Sequence, residues 1–430
     1  MSTHLTASTS GESEASRCPM SQIDAEFTPF DSPYLDFPYQ VFERARAEAP
    51  VFFSSEIKHW VVSKYDDVRT VMRDVDRFSA VNAQSPITPW PKDAVDEFNS
   101  HGFGLRPNLS NNDAPSHTHV RHFLRDAFSV RRIGWLEPHV RRLVETCVDK
   151  FAGDLSCDLI EKMLADVPAQ VLFLFLGIPD ADIETVKRWS AGRAILTWGR
   201  PSDEEVREQL PDFINYLQYC FDLVETLEKN PGEDYTSELL RRLSEEQPED
   251  FDKGRIAQTL FGLLMAGHET TTNQSANAIR AILSTPGTWD RLANDPTLIP
   301  NAVEESIRFE SSVIAWRRTT KCPVVLSGVE IPAGAEVMTL LGSANRDEAL
   351  FEDPNRLNID RENARNHVSF GYGAHYCLGA PLARLELRIF LEVLTKRLHG
   401  LQLVPTTYLY SPNTSHRGPL SLPVEWKSAD

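Results

Sequence analysis

Phe370-Gly371-Tyr372-Gly373-Ala374-His375-Tyr376-Cys377-Leu378-Gly379 is the stretch whose reading decides the rest of the chain. It holds a single cysteine, with two glycines before it and another two residues after it. Behind it runs Ala380-Pro381-Leu382-Ala383-Arg384-Leu385-Glu386-Leu387-Arg388, where proline in the first turn predicts the start of a helix. Cys377 thus stands where a glycine-rich turn feeds a helix N-terminus. Free N–H groups and the positive end of the helix dipole favour a thiolate there. Glycines lack Cβ, so the backbone approaches a flat ligand closely and takes positive φ where needed. Two other readings compete. One is a small buried hydrophobe, the commonest fate of a lone cysteine. The other is a zinc ligand shared with His375, but zinc needs four ligands, and no second Cys or His pair follows nearby.

These ten residues resemble the haem-ligand signature of the cytochrome P450 family, Phe-Gly-x-Gly-x-His-x-Cys-x-Gly. Phe370, Gly371, Gly373, His375, Cys377 and Gly379 fill every fixed position. The resemblance implies that Cys377 is the axial ligand of the iron of haem b, its thiolate pushing electron density onto the metal. It places Phe370, Gly371, His375, Gly379 and Ala266 in the cofactor-binding set. It also implies the fold, mainly α with a smaller β part (α+β), with a long central helix over the haem.

A length of 430 residues admits two domains or one large fold. No internal repeat or inter-domain linker is evident, so a single unit over 23–430 is expected. Residues 1–22, rich in Ser and Thr, are expected to be disordered, and they lack the apolar core of a signal peptide. A formal net charge of −18 argues against nucleic acid or an anionic membrane as partner. The six cysteines are scattered without a CxxC pair, which suits a reducing cytoplasm. The longest apolar run, Ala169 to Ile178, is too short to cross a bilayer and reads as a buried helix segment.

Val51-Phe52-Phe53 and His59-Trp60-Val61-Val62-Ser63 flank a polar turn and predict a hairpin. From Ser79 to Asn112 the chain is rich in Pro, Asn and Ser and reads as a long irregular connection, a candidate substrate lid. Pro115 to Phe128 predicts a helix with His117, Arg121 and Arg125 on one face, which on spacing alone is a solvated basic surface. Asp252 to Ser284 reads as one helix of roughly 50 Å. Its middle, Ala266-Gly267-His268-Glu269-Thr270-Thr271-Thr272, is poor helix material, as expected where function overrides folding.

That middle segment resembles the family's oxygen-activating motif. Oxygen activation consumes protons and must exclude bulk water, so Thr270 as hydrogen-bond donor and Glu269 as proton relay suit it. A threonine bonding back to its i−4 carbonyl and kinking the helix accounts for the same residues without catalysis. In the family a His-Thr-x-x-Arg pattern binds haem propionates, which carries over to His117 and Arg121. Arg317, in Trp316-Arg317-Arg318-Thr319-Thr320, corresponds to a further propionate arginine. Arg318 would face the other side of a strand. His375 completes the set through charge-assisted hydrogen bonds. Glu305 and Arg308 match the family's Glu-x-x-Arg pair, which the resemblance joins to Arg356 of Pro354-Asn355-Arg356 in a structural trio. Leu357, usually Phe, and Ser116, often Glu, depart from the pattern. The family's layout puts Leu263, Ala266, Val313, Ile314, Ala315 and Thr414 around the substrate, beneath the loop from Ile87 to Leu109.

What the resemblance implies is a haem-thiolate monooxygenase that inserts one oxygen atom from O2 into a small apolar organic substrate. The chain shows no plant-type iron–sulfur spacing, no GxGxxG and no P-loop. Electrons are therefore expected from NAD(P)H through a ferredoxin and its reductase, with the basic face around Arg121 and Arg125 as a docking surface. The segments Thr197 to Pro201, Ser312 to Arg318 and Pro412 to Ser415 look most similar to one group within the family. It includes oxidases of thiocarbamate and triazine herbicides and the haem domains of self-sufficient reductase fusions. Hydroxylation or N- or O-dealkylation of xenobiotics follows by analogy. The competing readings are a haem-thiolate peroxygenase or isomerase, which usually lack the acid–alcohol pair, a haem sensor, and the haem domain of such a fusion. No GxSxG or HExxH supports a hydrolase.

Overall fold

Alternating apolar residues pair Val51–Ser54 (β1) with His59–Val62 (β2) antiparallel, Phe52 opposite Val61, as the hairpin reading expected. The computed structural model describes residues 22–428 apart from 191 and 250. The N-terminal segment expected to be disordered lies outside the described residues except for Gln22, where a short helix to Glu26 begins. Strands β3 (Phe78–Ser79), β4 (Trp316–Thr320) and β5 (Glu336–Thr339) complete a five-stranded sheet of order β1-β2-β5-β4-β3. Only β2 and β5 run parallel. Val324–Leu326 and Val329–Ile331 form a separate ribbon, while Gln402–Leu403 and Pro423–Glu425 join Ser156–Asp158.

Seven helices carry the site: α1 (Ser116–Leu124), α2 (Arg193–Trp198), α3 (Asp203–Lys229), α4 (Lys253–Gly267), α5 (Glu269–Leu283), α6 (Ile299–Phe309) and α7 (Ala380–Arg397). Ser202 and Glu205 close a capping box on α3. The connection from Ser79 to Asn112 is not wholly irregular. Lys92–Ser100 forms a helix within it, because Ala94 and Phe98, one turn apart, both find buried seats.

The expected single long helix is two. His268 (φ −101°, ψ −48°) separates α4 from α5. Thr270 Oγ1 donates to the Ala266 carbonyl at 2.6 Å and Thr271 Oγ1 to that of Gly267 at 3.0 Å, so side chains occupy acceptors of the helical ladder. Gly267 also lets the elements meet closely, since a Cβ there would come within 2.8 Å of the Leu172 side chain. Leu264, Ile279, Ile307, Leu387 and Phe390 from α4 to α7 share one apolar core. Among the described residues no helix is long and apolar enough to cross a membrane.

At the start of β2, His59 is buried and its Nδ1 donates to the Ile57 carbonyl at 2.5 Å. Burial, with the Arg317 charge, pushes its pKa down to about 4. The unfolded chain takes up a proton on this residue near pH 6.5 and the folded one does not until about 4. Stability is therefore expected to fall as pH drops across that window, by up to about 1.4 kcal/mol per unit from this group. Denaturant titrations at pH 7, 6 and 5 should show a shallower decline in His59→Gln.

Candidate functional site

Cys377 follows a turn whose glycines bend the chain into conformations other residues resist. Gly371 and Gly373 sit at φ +72° and +73°, and a Cβ on Gly373 would lie 3.0 Å from the Arg73 Cα. The Cys377 N–H donates to the Phe370 carbonyl at 2.9 Å, and α7 begins three residues on, with Pro381 in its first turn. Cys377 has accessible surface. Even so, burial is the largest influence on its thiol and pushes the pKa up, opposed by N–H groups of Gly379 and Ala380 and by the Arg121 and Arg384 charges. Accessible surface combined with strong desolvation describes a sulfur on the floor of a recess.

Above the turn the rings of His117 and His375 stack, centroids 3.9 Å apart. His375 Nδ1 donates to the Leu109 carbonyl at 3.1 Å, and Arg121 donates to the Tyr376 carbonyl at 2.5 Å. Burial pushes the His117 pKa down to about 4 and that of His375 to about 3, with the Arg318 charge contributing to both. Here the sequence reading is corrected. Strand alternation in β4 sends Arg318, not Arg317, toward the two histidines. Arg317 turns the other way, donating to the Ser85 carbonyl and at 3.5 Å to that of Ala83, beside His59 and Glu336. Strand parity could not be fixed from the sequence, so adjacent arginines were not separable there.

On α4, Ala266 keeps accessible surface directly after buried Leu264 and Met265, and Thr270 and Leu263 are half-buried. An added Cβ on Gly262 would meet nothing within 4 Å. Glu269 turns toward His416, whose Nδ1 lies 3.7 Å from its carboxylate, an electrostatic contact longer than a hydrogen bond. Burial pushes the Glu269 pKa up, but His416 and His268 more than offset it, leaving the carboxyl below its usual range. His416 is buried against Trp198, ring centroids 4.5 Å apart, and no sequence signal pointed to it. Ile314, Ala315 and Thr414 are buried and Val313 half-buried. Thr414 Oγ1 donates to the Trp198 carbonyl at 3.2 Å, and Ile314 N–H to that of Ser415 at 2.8 Å.

The Glu305–Arg308 pair is fully buried, joined by hydrogen bonds of 2.7 and 2.8 Å. Its third member is Arg361 rather than Arg356. Arg361 Nε sits 3.1 Å from both Glu305 oxygens, whereas Arg356 is exposed and contributes only its carbonyl, 3.3 Å from Arg361. The turn from Pro354 to Arg361 folds back, so the later arginine reaches the acid; nothing in the local sequence distinguished the two.

The family model for cytochrome P450 matches residues 202–399. Mycinamicin IV hydroxylase/epoxidase of Micromonospora griseorubida is 35% identical over 372 residues, 85% of this chain and 89% of that protein. The chain belongs to the cytochrome P450 family. Among solved structures, cytochrome P450 CREJ in complex with (4-ethylphenyl) dihydrogen phosphate superposes with a TM-score of 0.90 at 37% identity, covering 94% of this chain and 100% of that one. An intact type IV self-sufficient cytochrome P450 monooxygenase gives 0.91 at 38% identity, covering 95% of this chain and 54% of the other. As a cytochrome P450 monooxygenase the protein is an oxidoreductase, and the family's cofactor is haem b. The recess fits that group. Cys377 offers a sulfur at a helix N-terminus, Ala266 and Gly262 leave room for a flat ring, and His117 Nε2 is buried without a hydrogen-bond partner among the described residues.

Proposed function

We propose that the protein inserts one oxygen atom from O2 into a small apolar organic substrate, by hydroxylation or N- or O-dealkylation. The observation that carries this reading is an accessible cysteine sulfur at a helix N-terminus together with an acid–alcohol pair at a break in the central helix. When bound, the haem would supply oxygen activation, tuned by a thiolate from the protein. Cys377 would hold the iron, and His117, Arg121, Arg318 and His375 would hold the propionates; Glu305, Arg308 and Arg361 keep the fold that presents them.

On the substrate side, Thr270 keeps its hydroxyl on the Ala266 carbonyl at rest, with lone pairs free to accept. Glu269, charged and turned toward His416, is the relay that moves protons in from outside. CREJ is solved with (4-ethylphenyl) dihydrogen phosphate, and by that likeness a small one-ring substrate is the class proposed here. Electrons come from NAD(P)H through a separate ferredoxin and reductase, in the cytoplasm.

The test pairs NADPH consumption with product formation. Thr270→Ala is expected to keep consuming NADPH while product per NADPH falls about tenfold or more, the rest appearing as hydrogen peroxide. Glu269→Gln should slow turnover about a hundredfold. Turnover driven by added peroxide and indifferent to both substitutions would favour the peroxygenase reading instead.

A further inference from the structure

His416 is 7% exposed, and its Nδ1 has no hydrogen-bond partner among the described residues. A buried ring nitrogen left without a partner costs stability unless something comes to meet it. What faces it is the Glu269 carboxylate at 3.7 Å, and His416 is the one ion-pair partner of Glu269 among the described residues. Trp198 of α2 closes another side of the ring, and its own Nε1 is spent on the Ala83 carbonyl at 3.2 Å.

The two partners differ in freedom. The strand carrying His416 is pinned from both sides. Asn413 Oδ1 accepts from the His416 N–H at 2.6 Å, the Thr414 N–H donates to the Trp198 carbonyl at 2.9 Å, and the Arg417 N–H donates to the Ser312 carbonyl at 2.8 Å. The same strand lies along one face of α5. Asn277 Nδ2 donates to the Arg417 carbonyl at 2.9 Å, and a Cβ on Gly418 would collide with the Asn273 side chain. Glu269, Asn273 and Asn277 follow one another at four-residue spacing, the repeat of a single helix face. Glu269 itself keeps 34% of its side-chain surface accessible. The ring is therefore fixed, and the carboxylate is the part that moves.

Consecutive helical residues point about 100° apart. An acid held on this strand thus looks away from the Thr270 hydroxyl, which sits on the Ala266 carbonyl at 2.6 Å. The surrounding charges leave the pair to itself. Burial pushes the Glu269 pKa up, and His416 and then His268 pull it down. The Arg417 guanidinium turns off to the Leu35 and Asp36 carbonyls, and Lys187 bears on His268.

We propose that His416 is a positioning residue for proton delivery, which latches the Glu269 carboxylate to the strand and loads it with a proton. This deepens the monooxygenase reading and rests on Glu269 as its relay. The pair shares one proton. A shift of about 1 Å brings the carboxylate within hydrogen-bond range of Nδ1. The Nδ1–H bond then breaks as an O–H bond forms on Glu269, and an ion pair becomes two neutral groups. With the attraction gone, the loaded acid is free to turn toward Thr270, and a proton from solvent restores the imidazolium.

The test uses the haem-loaded full chain in two arms. In the first, glutamate labelled with 13C at the carboxyl carbon is titrated by NMR in the reduced, carbon-monoxide-treated protein, where Glu269 is the resonance missing in Glu269→Gln. Its midpoint should lie at higher pH in His416→Gln than in the parent, because burial then acts without its main opponent. In the second, NADPH consumption is driven by a surrogate ferredoxin and reductase in excess, with ethylbenzene as the apolar probe. His416→Gln should slow it about tenfold while probe binding, read by the haem spin-state shift, stays within about twofold. The double variant should be no slower than Glu269→Gln, since the two residues act as a unit.

A Glu269 resonance that titrates at the same or lower pH in His416→Gln would overturn the proposal. So would a double variant slower than Glu269→Gln by the whole factor that His416→Gln shows alone, the mark of a purely structural histidine. Should the Gln variant fold poorly, His416→Asn serves in both arms. Failure of either arm leaves the thiolate-type band and the Thr270→Ala uncoupling in place, so the monooxygenase reading survives. A protein that forms the band but consumes no NADPH counts against that reading instead, while the titration, which needs no turnover, still decides the latch.

Discussion

Replacing Cys377 with alanine is expected to abolish the red-shifted Soret band of the reduced, carbon-monoxide-treated protein and all NAD(P)H-driven turnover, while the polypeptide stays folded. The expectation of folding follows from how little Cys377 contributes to packing. It is accessible, and its backbone N–H bond to Phe370 does not depend on the side chain. Stability should change by no more than about 1 kcal/mol. The spectral loss follows because, among the described residues, Cys377 is the exposed cysteine, while Cys147 and Cys220 are buried. Cys157 and Cys322 are half-buried elsewhere, and burial holds the Cys220 thiol far above its ordinary range. Cys157→Ala and Cys322→Ala are the controls and should leave the band intact. A band that survives Cys377→Ala would mean that a different atom holds the iron.

Glu305→Ala should be the most destabilising single substitution in the chain, by about 3–5 kcal/mol. Removing the carboxylate strands two guanidiniums in a dry interior, since Arg308 is 0% and Arg361 7% exposed. Arg308 also donates to the carbonyls of Asn345 (2.8 Å) and Pro354 (3.0 Å), so the loss spreads from α6 into the loop that precedes the cysteine turn. Haem content after purification should fall in parallel. The contrast between the two candidate third members is sharper still. Arg361→Ala is expected to cost about 3 kcal/mol, Arg356→Ala no more than about 0.5 kcal/mol. Urea denaturation read by the haem Soret band and by far-ultraviolet circular dichroism separates them. Equal costs would return the trio to the Pro-x-Arg segment.

Much of this was legible from residues alone because the chemistry is local. The turn that carries the family resemblance is ten consecutive residues, and the poor helix material from Ala266 to Thr272 was legible although the chain was read there as one helix and forms two. What escaped was set by long-range geometry. The side of the sheet to which Arg317 or Arg318 points depends on the pairing of β4 with β5, Arg318 opposite Val337, and adjacent residues of like kind give no local parity signal. Arg361 reaches Glu305 only through a turn that places Asn358 N–H 2.9 Å from the same carboxylate. His416 meets Glu269 from a loop far along the chain, brought in by Asn413 and by the Thr414 bond to Trp198. The helix within the connection from Ser79 to Asn112 was hidden by surrounding Pro and Asn, although Ala94 and Phe98 already had helical spacing.

The parallel pairing of β2 with β5 bears on how the protein is made. Trp60 aligns with Val337 and Val62 with Thr339, so this seam of the sheet joins an earlier strand to one far later along the chain. Until the later strand emerges from the ribosome, the early hairpin offers an uncovered edge, the kind of surface on which nascent chains aggregate. Refolding from denaturant should accordingly be slow, and chaperone supply during expression should govern yield more than temperature-dependent stability does.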